Sequence, residues 1–176
     1  QSVVSVINTV EFNKKNSDYF AALVAYRILG GGGAGRLFNN LREDKGWTYG
    51  SYSGISESYK TKGLVIAQAQ VRNEVTDSAA VELLMELDKM KNTFVLDEEL
   101  NSAKAKYTGN FVLSLENPST IAGFARNIIT QDLPEDYYNS FLENINSVTK
   151  EDVQNAAKNY FLTNNTRVFI TGKGSE

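Results

Sequence analysis

The feature that most constrains this chain is a change of hydrophobic period. Apolar residues recur at every second position over most of 2–12 and 64–72, residues 47–56 read as an alternating stretch with three aromatics, and the spacing is three to four residues through most of 76–160. The first period belongs to a strand with one buried face, the second to a helix with one buried stripe. A sheet drawn mostly from the first part must therefore lie under helices drawn mostly from the second.

In detail, residues 2–12 are rich in β-branched side chains and put Val4, Val6, Val10 and Phe12 on one face, which predicts a strand. Ser17 or Asp18 is expected to cap a helix over 18–29, where Phe20, Leu23, Val24 and Ile28 hold helical spacing. Residues 35–44 predict a short helix with Leu37, Phe38 and Leu41 facing inward, stopped by Gly46. Residues 47–56 and 64–72, joined by a loop over 57–63, predict an antiparallel pair. Helices follow. One spans 76–91 along Ala80, Leu83, Leu87 and Met90. The next, over 97–115, opens on Asp97, Glu98 and Glu99, which suit the positive end of a helix dipole, and Leu100, Ala103, Tyr107 and Phe111 line it. Another starts at Pro118, with Ile121, Phe124, Ala125 and Ile128 as its apolar side. Pro134 is expected to open a short helix. Thr149 to Asp152 reads as a capping box, with Val148 and Val153 as its hydrophobic staple, so a helix starts near residue 150. Thr166 to Thr171 predicts a last strand. Because helices gather late, the expected class is α+β: a two-layer sandwich of a largely antiparallel sheet with helices packed on one face.

Composition narrows the chemistry. The 176 residues fit one domain, 1–176. A net charge of -3 without an extended basic run weighs against nucleic acid as a partner. No apolar run approaches the ~20 residues of a membrane span. The chain has no cysteine and no histidine. Thiolate catalysis, disulfides, a histidine-based triad and a zinc site with imidazole ligands are all excluded within it. No metal and no cofactor is expected in this chain.

Gly30, Gly32 and Gly35 formally satisfy G-x-G-x-x-G. A dinucleotide site needs that motif after a strand and at the start of a long helix, whereas here it follows a helix. The run Gly30, Gly31, Gly32 and Gly33 is expected to act as a hinge that lets backbones pack closely. Beyond it, Arg42 and Tyr49 lie seven positions apart, one near the end of the short helix and the other near a strand start. A tight turn at Gly46 brings both toward one site. Arginine offers a rigid fork of donors and tyrosine a hydroxyl on a stiff ring, so both can donate to a peptide carbonyl. The more ordinary arrangement is Arg42 paired with Glu43 or Asp44 on a solvated face, with Tyr49 in the core.

The string GGGGAGRLFNNLREDKGWTYGSYS resembles the signature of the C-terminal domain of insulinase/pitrilysin peptidases, a family that includes the mitochondrial processing peptidases. The resemblance continues through DEELNSAKAKYTGNFVLSLENPSTIA and SVTKEDVQNAAKNYF and covers almost the whole chain. It implies the non-catalytic half of a zinc-dependent metalloendopeptidase, facing a zinc-bearing domain with an H-x-x-E-H motif across a chamber. That domain belongs to the same chain or to a separate subunit. The substrate implied is an unfolded peptide, held extended by strand addition in the zinc domain and supported from this side by Arg42 and Tyr49. Some relatives keep the fold, lose catalysis and serve as scaffold subunits, so that reading stays open. The sequence departs from the family pattern at Trp47-Thr48, where a small apolar pair is more usual; a tryptophan there narrows the chamber or packs against a partner domain. The strand and helix with which such a domain commonly begins have no counterpart here, which fits a piece of a larger protein.

Overall fold

The computed structural model describes residues 1–162 and 166–172. Its four-stranded sheet has the order β2-β3-β1-β4, with every neighbouring pair antiparallel. The strands are β1 (Ser2–Val10), β2 (Thr48–Ile55), β3 (Gly63–Val71) and β4 (Arg167–Thr171). Register follows the alternation read from the sequence. Val4 pairs with Ala69, Val6 with Ala67 and Val10 with Gly63, so the inward residues of β1 and β3 form one continuous buried face. The other face carries Val3, Ile7, Leu64, Ile66, Gln68 and Gln70, and no helix layer among the described residues covers it.

Helices α1 (Tyr19–Gly30) and α3 (Thr76–Asn92) pack on the buried face, and α7 (Lys150–Tyr160) packs against both of them. Ala22, Val24, Leu29, Leu83, Met90, Val153 and Ala157 are all fully enclosed there. The expected α+β sandwich is the observed one. Local signals place the boundaries: Thr149 accepts the Asp152 N–H at 3.1 Å, and Asp152 returns the bond to the Thr149 N–H at 2.9 Å. The flanking Val148 and Val153 are buried together. Asn117 caps α5 (Pro118–Gln131) by accepting the Ser119 N–H at 2.9 Å. Glu99 accepts the Leu96 N–H at the start of α4 (Asp97–Ser114), 2.8 Å away.

Four expectations need correction. Asp18 holds the N-cap position of α1 as expected, but its side chain makes no capping bond; its carboxylate accepts the Tyr160 hydroxyl at 2.6 Å and the Asn159 amide at 2.9 Å, tying α1 to α7. Pro134 opens a pair of turns, and the helix that follows, α6, starts only at Phe141 and runs to Ser147. Tyr137 stacks on Phe20 and donates to the Lys14 carbonyl, while Tyr138 stacks on Phe124 at 3.8 Å. Those long-range contacts hold the tyrosines in turns that a helix would break. Phe38 is half-buried and faces Arg42, not the core. The apolar side of α5 is not buried: Ile121 is exposed, Ala125 is exposed, and Phe124 and Ile128 are only partly covered.

Candidate functional site

Gly35 starts a short helix, α2 (Arg36–Phe38), which widens at once into a π-helical turn over Asn39–Asp44. The Lys45 N–H reaches back five residues to the Asn40 carbonyl, and the Trp47 N–H reaches the Leu41 carbonyl. Such wide turns are uncommon and recur at functional sites. Here Leu37 and Leu41 enter the core while Arg42 points out. Gly46 then reverses the chain with φ 62°, a left-handed value that costs glycine little. The reversal brings β2 back beside the turn.

Strand β2 begins with a β-bulge. Thr48 pairs with Val71 and Ser51 with Ala69, so Tyr49 and Gly50 together oppose Gln70. The Thr48 hydroxyl locks the irregularity: it accepts the Gly50 N–H at 3.0 Å and reaches the Gln70 carbonyl across the pair. A bulge re-aims a side chain, and the one re-aimed here is Tyr49. Its ring is 82% exposed, which rules out the arrangement with Tyr49 in the core. One sequence signal marks the bulge, a glycine inside a strand pattern; in the structure the inward residues Thr48 and Ser51 stand three apart instead of two.

The two residues singled out in the sequence meet. Arg42 Nη1 donates to the Tyr49 carbonyl at 2.6 Å. Its guanidinium carbon lies 5.2 Å from the Phe38 ring centre and 6.0 Å from that of Tyr49. The fork is thus held by one carbonyl and two aromatic rings, an arrangement lysine could not reproduce. The Arg42 Nε–Glu43 contact is 3.6 Å long and exposed, so it adds at most about 1 kcal/mol.

A polar layer lies beneath the π-turn, and no local motif in the sequence marks it. Arg36 grips Glu99 in a bidentate pair at 2.6 and 2.7 Å. Burial pushes the Glu99 carboxyl up, but Arg36 and the Leu96 N–H outweigh it and hold it below the usual range. The buried Asn40 amide donates to Glu82 at 2.9 Å and Glu86 at 2.8 Å, and its carbonyl accepts from Lys45. The Asn40 amide, with Lys45 adding to it, lowers the Glu82 carboxyl from its ordinary value. Glu86, a carboxylate on α3, is only 5% exposed. Trp47, the departure from the family pattern, is half-buried and packs against the core of this chain, with Lys45 over its ring.

The glycine run has unequal members. A Cβ on Gly30 would stand 2.3 Å from the Ser53 backbone nitrogen, so α1 crosses β2 only because that position is bare. Gly31 is crowded by Arg27, Gly32 has φ 111°, and Gly33 has nothing nearer than 3.9 Å.

Among the described residues no group of three or more metal-ligating side chains converges. With no histidine or cysteine anywhere in the sequence, the donor set does not fit a catalytic zinc. The described helices include none long and apolar enough to cross a membrane.

Comparison with known proteins gives the same direction. YmxG of Bacillus subtilis (strain 168), an uncharacterized zinc protease, is 27% identical over 155 residues, which is 87% of this chain and 37% of that one. The peptidase M16 inactive domain of Pseudomonas fluorescens superposes with a TM-score of 0.89 at 24% identity, over 99% of this chain and 42% of that one. A protease from Helicobacter pylori superposes with a TM-score of 0.85 at 18% identity, over 96% of this chain and 40% of that one. The chain thus spans about two fifths of the length of these relatives. The family model described as the peptidase M16 inactive domain matches residues 4–107, a span that holds the π-turn, the bulge and both residues they bring together. This chain belongs to the peptidase M16 inactive domain family, as a non-catalytic domain.

Proposed function

We propose that this domain completes the chamber of a zinc-dependent metalloendopeptidase and holds the substrate peptide through Arg42 and Tyr49. The observation that supports this reading is their geometry: the Arg42 fork is braced at the Tyr49 carbonyl while the Tyr49 ring remains 82% exposed. The exposed hydroxyl and the guanidinium N–H groups not spent on that carbonyl are rigid donors beside an uncovered sheet face. Zinc chemistry belongs to a partner domain carrying H-x-x-E-H, in the same polypeptide or a separate one.

In this reading an unfolded peptide lies extended along the chamber. Arg42 and Tyr49 donate to its carbonyls near the scissile bond. Donors fixed before reaction favour the developing oxyanion because they need not reorganise to meet it. Phe38 and the bulge keep them fixed: the ring flanks the guanidinium, and Thr48 clamps the strand that bears the tyrosine.

The test uses the complete parent protein with its zinc half and an unstructured peptide, with and without a chelator. Arg42→Ala and Tyr49→Phe should each lower chelator-sensitive cleavage by ~10²-fold or more, the scale of losing one oxyanion donor. Wild-type rates in both variants would make the pair structural. A parent that binds no zinc and cleaves nothing would favour a scaffold role.

A further inference from the structure

Beside Arg42 and Tyr49 is a second arginine. Arg72 follows the last residue of β3, and its N–H donates to the Trp47 carbonyl at 3.4 Å, one step beyond the Thr48–Val71 pair. Its backbone is extended and turns directly into a 3-10 turn over Asn73–Val75, where the Val75 N–H bonds back to the Arg72 carbonyl at 3.2 Å. The root of the side chain is therefore fixed on both sides. Arg42, Arg72, Trp47, Tyr49 and Gln70 line one open concavity, and no carboxylate is among its lining residues.

The two cations are differently engaged. Arg42 is braced by the Tyr49 carbonyl and pairs at 3.6 Å with Glu43. The Arg72 side chain has neither a hydrogen bond nor an ion pair among the described residues. A nearby acid, Glu74, is exposed and forms no ion pair with it. The hollow is locally positive on a chain whose net charge is -3, so its attraction for an anion is confined to this place. A guanidinium offers a planar fork that matches a carboxylate with two parallel bonds.

Building on the peptidase reading above, we propose that Arg72 selects peptide substrates bearing a carboxylate next to the segment held by Arg42 and Tyr49. The carboxylate comes from an Asp or Glu side chain or from a free peptide C-terminus. Either one enters the concavity and bonds Arg72, while Trp47 and Gln70 form the wall.

The experiment uses the complete parent protein and three labelled peptides of one length: a neutral C-terminal amide, the same amide with one Glu, and the neutral sequence with a free C-terminus. Affinity is read by fluorescence anisotropy and cleavage is followed in parallel. One carboxylate peptide should bind about tenfold more tightly than the neutral amide, a single charge-assisted contact's worth, and the advantage should shrink as salt rises. Which of the two gains identifies the source of the carboxylate. Arg72→Gln should bring the affinity ratio to about one, and Arg72→Lys should retain part of it, because a point charge lacks the fork. The proposal fails if the wild type shows no preference, or if Arg72→Gln keeps it. A parent that shows the Arg72-dependent preference but cleaves none of the peptides supports this selection and sinks the peptidase reading alone. Cleavage without any preference does the reverse.

Discussion

Residues 4–107 and residues 108–147 are held together in different ways. In the first region the sheet, α1 and α3 meet at a closely packed core of mostly small and branched side chains, with Phe12, Tyr19 and Tyr26 among them. Gly30 touches the β2 backbone, and Val4, Val24, Leu29 and Leu83 are completely enclosed. In the second region α5 buries no residue fully, and apart from the buried Leu133 and Ile145 the packing is a chain of aromatic rings. Phe111 stacks on Phe141 at 4.4 Å and on Phe124 at 5.8 Å, and Phe124 stacks on Tyr138 at 3.8 Å. Ile129 stays 81% exposed and Leu113 65%. Contacts of the first kind leave no room for adjustment and fix positions sharply. Contacts of the second kind tolerate sliding, since offset stacking is favourable over a range of ring separations. The family model covers the first region, and the candidate site lies entirely within it.

The widest gap between the regions should appear on deleting a ring. Phe12 is 1% exposed, stacked on Tyr19 and edge-on to Tyr160. Phe12→Ala should destabilise the chain by about 3–5 kcal/mol, the usual range for a fully buried phenylalanine. Phe124→Ala removes a ring that is only partly covered, and should cost about 1–2 kcal/mol. Urea unfolding of the two variants measures the difference. Equal losses would mean that the aromatic chain is as tightly fixed as the core, and the contrast would be lost.

A smaller but sharper comparison lies inside the glycine run. Gly30→Ala forces a methyl to within 2.3 Å of the Ser53 nitrogen, so α1 must lift from β2, at about 1–3 kcal/mol. Gly33→Ala meets nothing closer than 3.9 Å and should change stability by less than about 0.5 kcal/mol. The Gly30 variant should also weaken chelator-sensitive cleavage in the parent, because β2 carries Tyr49. If the two alanine variants unfold together, the run acts as a loop and not as a packing joint.

The same division governs what could be read from the sequence. Strand alternation, the Thr149 capping box and the proline start of α5 were legible because each rests on local chemistry. The turn at Gly46 allows Arg42 and Tyr49 to meet but leaves a core position for Tyr49 open, and the family resemblance, not the turn, singles them out as a pair. The Asn40 layer was not legible, since it joins residues 42 and 46 positions apart through side chains that each look solvated in isolation. Pro134 misled for a related reason: its local preference for a helix start lost to Tyr137 and Tyr138, whose partners Lys14, Phe20 and Phe124 lie far back in the chain or on a neighbouring helix. The bulge lay between the two cases. Gly50 signals it in the sequence, whereas the three-residue inward step from Thr48 to Ser51 shows only in the fold.

The smallest effect concerns acid. Glu99 joins α4 to the π-turn through Arg36, and its carboxyl is held below the ordinary glutamate value near 4.5 despite the burial that opposes this. A group whose folded value is depressed stabilises fully above its unfolded value, and the gain is lost as pH falls through the folded one. Below about pH 4.5 the unfolded chain takes up the proton first, so stability must fall with pH there. Glu99→Gln should cost about 1–2 kcal/mol at neutral pH, the worth of hydrogen bonds to a charged partner, and that deficit should narrow steadily below pH 4.5. Asp132 belongs to the looser region. Lys15 depresses its carboxyl too, but the pair is exposed, and Asp132→Asn should leave the acid limb of the stability curve where it was. Urea midpoints from pH 7 to pH 3 separate the cases. If the Asp132 variant shifts and the Glu99 variant does not, the anchoring of the π-turn has been assigned to the wrong ion pair.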